Sequence, residues 1–380
     1  MSKFFVELKK VVDDSYDIEI GYHLFDTLIE ELKGSLGQGI SRYAIITDSV
    51  VEVLYGKTLL DLMEKEGFKV DLISFPEGEK SKVRSTKEII EDEMLARGHR
   101  RDSCIIALGG GVVTDLAGFV AGTFGRGIPF INYSTTILGA ADASVGGKTA
   151  VDTPLATNLI GLIYQPKKVY IDLATWSSLP VNQVSNGLSE TIKHACMADK
   201  GFFEFLEEHI EEMLVPQGIG SEQRDICTHI AEKNCSIKYE VVKKDERESN
   251  LRQILNLGHT VGRAVETLSD YSLLHGEALA IGMAMQVKIG EKLGYVSEEE
   301  ANRVIALYEK AKLSTKLPDY ITTRALVDKL YTDKKVKQGK IRFVFQEGIG
   351  QIKQYADGNY SVALEEDFIF ETIQAIRDKY

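Results

Sequence analysis

The spacing of hydrophobic and polar positions changes about half-way along this chain of 380 residues. In the first half, short apolar runs alternate with stretches whose apolar residues recur every three or four positions, as in strands that alternate with helices. The apolar runs predict buried strands at residues 43–47, 70–75, 103–108, 130–133 and 169–172. The intervening stretches predict helices at residues 51–66 and 86–97. Continuous apolar strands separated by helices indicate a parallel sheet covered by helices.

Helix follows helix in the second half of the chain. Helical spacing covers residues 184–198, 201–214, 222–245, 258–268 and 276–293, and residues 340–345 alternate like a strand. We therefore predict two domains, with their boundary between Lys168 and Leu179. In this prediction residues 1–172 form an α/β domain and residues 173–380 form an all-α domain.

Composition and charge restrict the classes of function. The formal net charge of −12 argues against binding to nucleic acid or to an acidic membrane. Local clusters of Lys and Arg, at residues 238–252 and 334–340, suit a small anionic substrate instead. The four cysteines lack a C-x-x-C spacing, and neither a signal peptide nor a membrane span is apparent. We therefore expect a cytoplasmic protein with reduced thiols.

A glycine-rich stretch, Gly109-Gly110-Gly111-Val112-Val113-Thr114-Asp115, follows the predicted strand at residues 103–108. Glycines let backbone N–H groups approach a phosphate closely, and the start of the following helix attracts an anion. The stretch departs from the G-x-G-x-x-G fingerprint, so it predicts either a dinucleotide phosphate site or only a tight turn. Gly146-Gly147-Lys148-Thr149 is not a Walker A motif, because Asp142 stands where that motif requires its first glycine.

Residues of metal-ligand type occur in the helical half of the chain. Glu190 lies in a predicted helix, and His259 and His275 lie at the starts of two later helices. Two imidazoles and one carboxylate can bind a divalent metal and leave one position open for water or substrate, with zinc as the default ion. A capping or surface role for each histidine is the alternative. His194 is a fourth candidate ligand.

In this combination the motifs resemble the 3-dehydroquinate synthase family, a branch of the sugar phosphate cyclases. The resemblance extends from about Asp48 to Phe345. The matching stretches are Glu77-Gly78-Glu79-Lys80, residues 109–119, Arg126-Gly127-Ile128-Pro129-Phe130, Thr135-Thr136, residues 142–149, Asn158-Leu159-Ile160-Gly161, Tyr164-Gln165-Pro166, Glu190, Lys193, Asp245-Glu246-Arg247-Glu248, Arg252, Leu255-Asn256, Gly258-His259-Thr260, residues 274–278 and Asp333-Lys334-Lys335.

The resemblance implies a fold and a reaction. The fold would be a Rossmann-like α/β N-terminal domain plus a helical C-terminal domain, with the active site between them and a homodimer as the assembly. The reaction would convert 3-deoxy-D-arabino-heptulosonate 7-phosphate to 3-dehydroquinate and phosphate in the shikimate pathway. Bound NAD+ would oxidise a substrate hydroxyl transiently, phosphate would be eliminated, the hydride would return, and an intramolecular aldol step would close the ring.

The resemblance also assigns residues to roles. Glu190, His259 and His275 would bind Zn2+ or Co2+. Substrate would be bound by Asp142, Lys148, Asn158, Lys193, Lys238, Glu248, Arg252 and Asn256, with Arg126 and Lys334 holding its phosphate. NAD+ would be bound by Glu79, Lys82, Gly110, Gly111, Val112, Asp115, Thr135, Thr136, Lys148, Thr157, Thr175 and Ser178.

Two positions depart from the family pattern. Thr157 stands where the family usually has Lys, and Arg263 stands where it usually has a second His. Arginine stays charged near neutral pH and is a poor general base, so Arg263 suits anion binding better than proton transfer. Three alternatives remain open: a cyclase acting on another sugar phosphate, a metal-dependent polyol dehydrogenase, and a non-catalytic NAD-binding paralogue.

Overall fold

Six parallel strands form the central sheet of the computed structural model, which describes residues 4–8, 12–154, 156–331 and 340–379. The strands of the N-terminal half are β1 (Asp17–Gly21), β2 (Arg42–Asp48), β3 (Val70–Phe75), β4 (Ser103–Gly109), β5 (Phe130–Ser134), β6 (Lys148–Thr153), β7 (Ala156–Ile163) and β8 (Lys168–Asp172). The central sheet has the order β3-β2-β4-β5-β8-β1. All five predicted strands are confirmed, and β1 is an edge strand that the hydrophobic pattern did not predict.

Helices cover both faces of this sheet because alternate residues of each strand point to opposite sides. The helices are α1 (Phe25–Lys33), α2 (Ser49–Val51), α3 (Lys57–Lys65), α4 (Arg84–Ala96) and α5 (Gly111–Thr123). Ala44 and Ile46 of β2 pack on the face covered by α4 and α5. Tyr43 and Ile45 pack on the face covered by α1 and α3. Burial on both faces explains why these strands are continuous apolar runs.

The order of the strands creates a crevice at one edge of the sheet. From β2 the chain goes to β3 on one side and then to β4 on the other side of β2. Doubly wound sheets bind ligands at such a reversal, outside the carboxyl ends of the strands. Asp48 ends β2 and Gly109 ends β4, so the glycine-rich turn starts at this crevice.

β6 and β7 form an antiparallel hairpin outside the central sheet. The hairpin lies against α5, where the small residues Gly118 and Gly122 allow a close approach. A Cβ atom on Gly118 would lie 2.5 Å from Cγ2 of Thr149. Residues 148–149 and 158–161, the parts of two sequence motifs that lie in this hairpin, were not predicted to pair with each other.

The C-terminal half is helical, as predicted. Its helices are α6 (Val181–Ala198), α7 (Lys200–His209), α8 (Arg224–Lys244), α9 (His259–Leu268), α10 (His275–Lys292), α11 (Glu298–Lys310), α12 (Thr323–Leu330) and α13 (Glu366–Lys379). The predicted strand at 340–345 is reduced to β9 (Arg342–Phe343), which pairs with β10 (Val362–Ala363). This two-stranded ribbon corrects the prediction of an all-α second half.

A short segment connects the two halves of the chain. β8 ends at Asp172, a 3₁₀ segment follows at Leu173–Ser178, and α6 begins at Val181. The domain division between residues 172 and 173 stays a prediction. No helix in the described part of the chain combines the length and the apolar character that crossing a bilayer requires.

Candidate active site

Glu190, His259 and His275 converge where three helices meet. α6 carries Glu190, and α9 and α10 begin at the two histidines. Their candidate ligand atoms all lie within 4.8 Å of one another. Nε2 of His275 lies 3.1 Å from Oε1 of Glu190, and Nε2 of His259 lies 3.4 Å from the same oxygen. The three predicted metal ligands therefore form one cluster.

The other nitrogen of each imidazole faces an acceptor of its own. Nδ1 of His259 lies 3.2 Å from the carbonyl oxygen of Leu257. Nδ1 of His275 lies 3.4 Å from Oε1 of Glu266. Metal-bound histidines commonly donate their second N–H to a carbonyl or a carboxylate, which directs the remaining nitrogen to the metal. Two nitrogens and one carboxylate oxygen, oriented in this way, fit zinc or cobalt.

Burial and charge act differently on the two imidazoles. Burial lowers the pKa of His259 to about 3, and the charge of Arg263 acts in the same direction. Burial opposes protonation of His275 as well, but Glu266 and Glu190 raise the pKa of His275 to about 10. In the metal-free protein His275 is therefore protonated, and its charge offsets part of the charge on the two carboxylates.

The polar face of α6 is buried beside the candidate metal site. Glu190 and Lys193 have 0% and 1% of their side chains exposed, and they form an ion pair. Nζ of Lys193 also donates a hydrogen bond of 3.0 Å to the carbonyl oxygen of Leu255. His194, the fourth candidate ligand, instead places Nδ1 3.0 Å from Oδ1 of Asn234, and it does not belong to the cluster of metal donors.

A second group of predicted residues lies close to the metal ligands. Nζ of Lys238 lies 2.6 Å from Oδ1 of Asp142. Burial opposes ionisation of Asp142, but Lys238 holds the pKa of that carboxyl below its usual range, and the charges of Glu190 and Lys193 also reach it. Asp142 is therefore an ionised hydrogen-bond acceptor at neutral pH.

The buried guanidinium of Arg252 holds the glycine loop before β6. Its Nη2 donates a hydrogen bond of 2.9 Å to the carbonyl oxygen of Gly146. Gly146 has a φ of 95°, and a Cβ atom there would lie 2.5 Å from Nη2 of Arg252. Glycine is required at this position by both the left-handed backbone and the close approach.

Three more predicted substrate residues form one chain of contacts. Lys148, the first residue of β6, pairs with Glu248. Nδ2 of Asn256 donates a hydrogen bond of 2.6 Å to the other carboxylate oxygen of Glu248. Glu248 has a positive φ of 57°, in a loop that the carboxylate of Asp245 organises through bonds from the backbone N–H groups of residues 249, 250 and 252.

The glycine-rich turn, which the sequence predicted as a phosphate cradle, lies at the crevice. Gly110 precedes α5, which starts at Gly111 and continues with Val112, and no side chain caps this helix start. A Cβ atom at Gly110 would lie 3.0 Å from Cγ2 of Thr136, so a larger residue would crowd the turn. An uncapped helix start with glycines fits the pyrophosphate of a dinucleotide.

Hydroxyl groups line the neighbouring strand ends. The buried hydroxyl of Thr135 has no hydrogen-bond partner within the described ranges, and Thr136 accepts a bond of 2.9 Å from the backbone N–H of Gly139. Thr175 donates a bond of 3.0 Å to the carbonyl oxygen of Thr135. The hydroxyl of Tyr55 donates to Ser178 at 2.8 Å. These predicted cofactor residues thus lie along one edge of the sheet.

Three carboxylates surround the buried ammonium group of Lys82. Glu79 pairs with it directly, and Oδ2 of Asp115 and Oδ2 of Asp152 lie 3.6 and 3.7 Å away. Burial raises the pKa of Asp115 to about 7 and that of Asp152 to about 6. Asp152 was not among the predicted site residues. It lies near the end of β6, a strand that the sequence did not predict, so no local pattern in the sequence pointed to it.

Two further residues near the site were also missed. Asp48 lies at the carboxyl end of β2 beside the crevice, where it caps α2 with bonds of 2.9 Å from Val50 and Val51. The sequence pattern that could have identified Asp48 is an aspartate at the end of a predicted buried strand. The hydroxyl of Tyr16 accepts a bond of 3.0 Å from the backbone N–H of Gly146, and nothing in the local sequence indicates that contact.

Not every predicted substrate residue lies with the others. Arg126 is exposed at the far end of α5, about 20 Å from Gly111 for a helix of 13 residues. It therefore lies at the amino edge of the sheet, whereas the site lies at the carboxyl edge. Asn158 has a positive φ of 54° and a buried side-chain oxygen that lacks a partner in the described chain. Lys334 lies outside the described residues.

The two departures from the family pattern have different surroundings. The hydroxyl of Thr157 lies 2.7 Å from that of Tyr271. Arg263 lies one turn after His259 on α9 and is half-buried. Within the described residues its guanidinium donates no hydrogen bond and forms no ion pair.

Comparisons with known proteins give matches along most of the chain. Residues 72–186 match the family model for the 3-dehydroquinate synthase N-terminal region, and residues 187–336 match that for the 3-dehydroquinate synthase C-terminal region. The 3-dehydroquinate synthase of Thermodesulfovibrio yellowstonii is 41% identical over 344 residues, which cover 88% of this chain and 94% of that protein.

Two solved structures resemble the whole fold. The 2-epi-5-epi-valiolone synthase ValA of Streptomyces hygroscopicus subsp. jinggangensis, solved with NAD+ and Zn2+ bound, has a TM-score of 0.86 and 26% identity, covering 99% of this chain and 100% of that one. A 2-deoxy-scyllo-inosose synthase complexed with carbaglucose-6-phosphate, NAD+ and Co2+ has a TM-score of 0.82 and 26% identity, covering 94% and 96%.

Proposed function

Because this chain belongs to the 3-dehydroquinate synthase family, we propose that it converts 3-deoxy-D-arabino-heptulosonate 7-phosphate to 3-dehydroquinate and phosphate. It is then a phosphate-eliminating lyase of the shikimate pathway, which leads to chorismate and the aromatic amino acids. The observation that carries the proposal is the cluster of Glu190, His259 and His275, whose candidate ligand atoms lie within 4.8 Å of one another.

Glu190, His259 and His275 would hold Zn2+ or Co2+, and the turn at Gly110 with the residues around Lys82 would hold NAD+. When bound, the metal supplies a Lewis acid for the substrate oxygens, and NAD+ supplies a hydride acceptor and donor. The chain itself orients these groups: Leu257 and Glu266 fix the imidazoles, and the uncapped start of α5 faces the crevice.

The remaining polar residues bind and orient the substrate in this proposal. Asp142 accepts hydrogen bonds from substrate hydroxyls because Lys238 keeps it ionised. Lys148 and Asn256 are held in place by Glu248, and each donates to the anionic groups of the substrate. Arg252 and Lys193 complete this set, and the role of Asn158 rests on the resemblance. The roles of Arg126 and Lys334 toward the phosphate remain predictions from the resemblance.

We further propose that the protein is a homodimer. Among the residues that the structure describes, β7 pairs with β6 along one edge and with no strand along the other, and Leu159, Ile160, Leu162 and Ile163 have 36–55% of their surfaces exposed. An apolar strand with an unpaired edge favours pairing with another chain, and a second copy would bury it symmetrically. Light scattering on wild type and on Leu159→Lys tests this: a monomeric wild type contradicts the proposal, and a monomeric variant of a dimeric wild type supports it.

A location in the cytoplasm is also proposed. Its support is the chemistry of the cysteines, since Cys104, Cys196, Cys227 and Cys235 are buried and unpaired. Free thiols are typical of a reducing compartment. Fractionation of cells that express the native chain tests this location.

The test of the proposed reaction follows phosphate and NADH together. The protein is mixed with 3-deoxy-D-arabino-heptulosonate 7-phosphate, catalytic NAD+ and Zn2+ or Co2+. Phosphate release without accumulation of NADH is expected, because a cyclase returns its hydride, whereas a polyol dehydrogenase accumulates NADH. Phosphate release only from a different sugar phosphate would identify another cyclase. No release from any substrate, with NAD+ still bound, would overturn the enzyme assignment.

A matched pair of variants links the activity to the site. Glu190→Gln replaces the carboxylate that both imidazoles contact with a neutral amide, and it is expected to abolish phosphate release. Glu232→Gln changes an exposed glutamate on α8 and is expected to leave the rate unchanged. Equal rates in the two variants would remove the metal cluster from the reaction.

A further inference from the structure

The loop between α9 and α10 joins the helices that begin at His259 and His275. In this loop Asp270 and Tyr271 have consecutive positive φ angles of 51° and 56°. Residues with a side chain rarely adopt this left-handed conformation, and they keep it only where surrounding contacts hold the backbone. The contacts that hold this loop therefore indicate what its shape serves.

Among the described residues, two side chains of this loop form polar contacts with residues of the N-terminal half. The hydroxyls of Tyr271 and Thr157 are 2.7 Å apart. Nζ of Lys80 lies 4.0 Å from Oδ2 of Asp270, but both side chains are largely exposed, so this ion pair contributes little. The half-buried Tyr271–Thr157 hydrogen bond is thus the main polar link, and a lysine at position 157 could not form it in the same way.

On the cofactor side the link continues through the β6–β7 hairpin. Thr157 is followed by Asn158, whose backbone N–H donates a bond of 2.7 Å to Oδ1 of Asp152. Asp152 belongs to the group of carboxylates around Lys82. Thr157 is therefore one residue away from a direct contact with the proposed NAD+ site.

On the metal side the link continues through Glu266 and His275. The backbone N–H of Tyr271 donates a bond of 3.2 Å to the carbonyl oxygen of Glu266. Oε1 of Glu266 faces Nδ1 of His275, which lies four residues after Tyr271. Burial raises the pKa of Tyr271, the hydrogen bond with Thr157 opposes this shift, and the charges of Asp152, Glu266 and Glu79 add to it.

We propose that the Tyr271–Thr157 hydrogen bond couples the binding of NAD+ to the binding of the divalent metal. When NAD+ binds, it orders Asp152 and the other carboxylates around Lys82, and this fixes the position of Thr157. Thr157 then stabilises the strained loop through Tyr271. The loop in turn keeps the His275 imidazole oriented toward the metal. This proposal rests on the proposed function, because it needs both ligands to bind. Coupling is reciprocal, so each ligand raises the affinity for the other by the same factor.

The test measures binding without turnover. Co2+ is titrated into the protein in competition with a chromogenic chelator, with and without saturating NAD+. We expect NAD+ to tighten Co2+ binding about five-fold or more, the size of one hydrogen bond or a modest allosteric coupling. In Tyr271→Phe and in Thr157→Val the factor should fall towards one, and Thr157→Ser, which keeps the hydroxyl, should preserve it.

Two controls separate the link from general effects of substitution. Tyr320→Phe removes a hydroxyl from an exposed tyrosine and should leave the factor unchanged. The double variant Tyr271→Phe/Thr157→Val should lose no more than either single variant, because the two hydroxyls act as one bond.

The outcomes distinguish this proposal from the one it rests on. Wild-type protein that binds both ligands with the same Co2+ affinity in the presence and absence of NAD+ would overturn the coupling alone. Coupling that persists in Tyr271→Phe would overturn the role of this hydrogen bond. Failure of the wild type to bind either ligand would overturn the proposed function and the coupling with it.

Discussion

Removal of the Lys193 ammonium group tests the electrostatics of the candidate metal site most directly. Lys193→Met preserves the volume of the side chain but leaves Glu190, which has no exposed surface, without its ion-pair partner. Removing one member of a buried pair typically costs about 3–5 kcal/mol. Protonated His275, whose Nε2 lies 3.1 Å from Oε1 of Glu190, offsets part of this loss. We therefore expect the free energy of unfolding of the metal-free protein to fall by about 3 kcal/mol.

The bound metal should reduce this loss. A divalent ion neutralises Glu190 in place of Lys193, so the remaining loss is mainly the hydrogen bond from Lys193 to Leu255, about 1 kcal/mol. Urea unfolding followed by circular dichroism, in EDTA and in saturating Zn2+, measures both differences. Lys193→Met/Glu190→Gln should recover part of the stability in EDTA, because it removes the unpaired charge.

A surface lysine provides the matched control. Lys233 pairs with Asp199 at 2.7 Å, and both side chains are about one-third exposed. Lys233→Met is expected to change stability by at most about 1 kcal/mol, with or without metal. Two results would refute this reasoning. In EDTA, Lys193→Met would lower the free energy of unfolding no more than Lys233→Met does. Alternatively, Zn2+ would not reduce the loss of stability caused by Lys193→Met.

Three further predictions concern single residues. Glu190→Gln should weaken Co2+ binding at least about 100-fold, measured by chelator competition, because a neutral amide replaces the carboxylate that both imidazoles face. Arg263→His should keep metal binding but make kcat/KM depend on pH between about 5 and 8, because an imidazole titrates there and a guanidinium does not; an unchanged profile would exclude Arg263 from substrate binding. Although burial opposes it, bonds from the backbone N–H groups of the loop that carries Glu248 hold the pKa of Asp245 below its usual range. Asp245→Asn should therefore destabilise the protein at pH 7, and in urea unfolding the difference from wild type should shrink steadily as pH falls below about 4, where the unfolded wild type takes up a proton while the folded wild type stays ionised; a difference at about pH 2 as large as that at pH 7 would contradict this.

The sequence by itself determined the architecture and the kinds of chemistry. β2, β4 and β5 are buried on both faces, so their apolar runs were sufficient to predict strands of a parallel sheet. The helical period of the second half similarly predicted its helices. The residue types of Glu190, His259 and His275 indicated metal binding, because two imidazoles and one carboxylate are common ligands of divalent metals.

The tertiary structure decided which of these residues meet. Glu190 and His275 are 85 positions apart, and they are neighbours because α6, α9 and α10 pack against one another. Thr157 and Tyr271 are 114 positions apart, and their contact depends on a hairpin and a strained loop that no local pattern announces. Arg126 carries a family motif but lies at the opposite edge of the sheet, because α5 takes the chain about 20 Å from the glycine turn. Period and composition are local properties that a chain displays before it folds, whereas distances between side chains arise only from packing, so the sequence determined the elements and the structure determined the site.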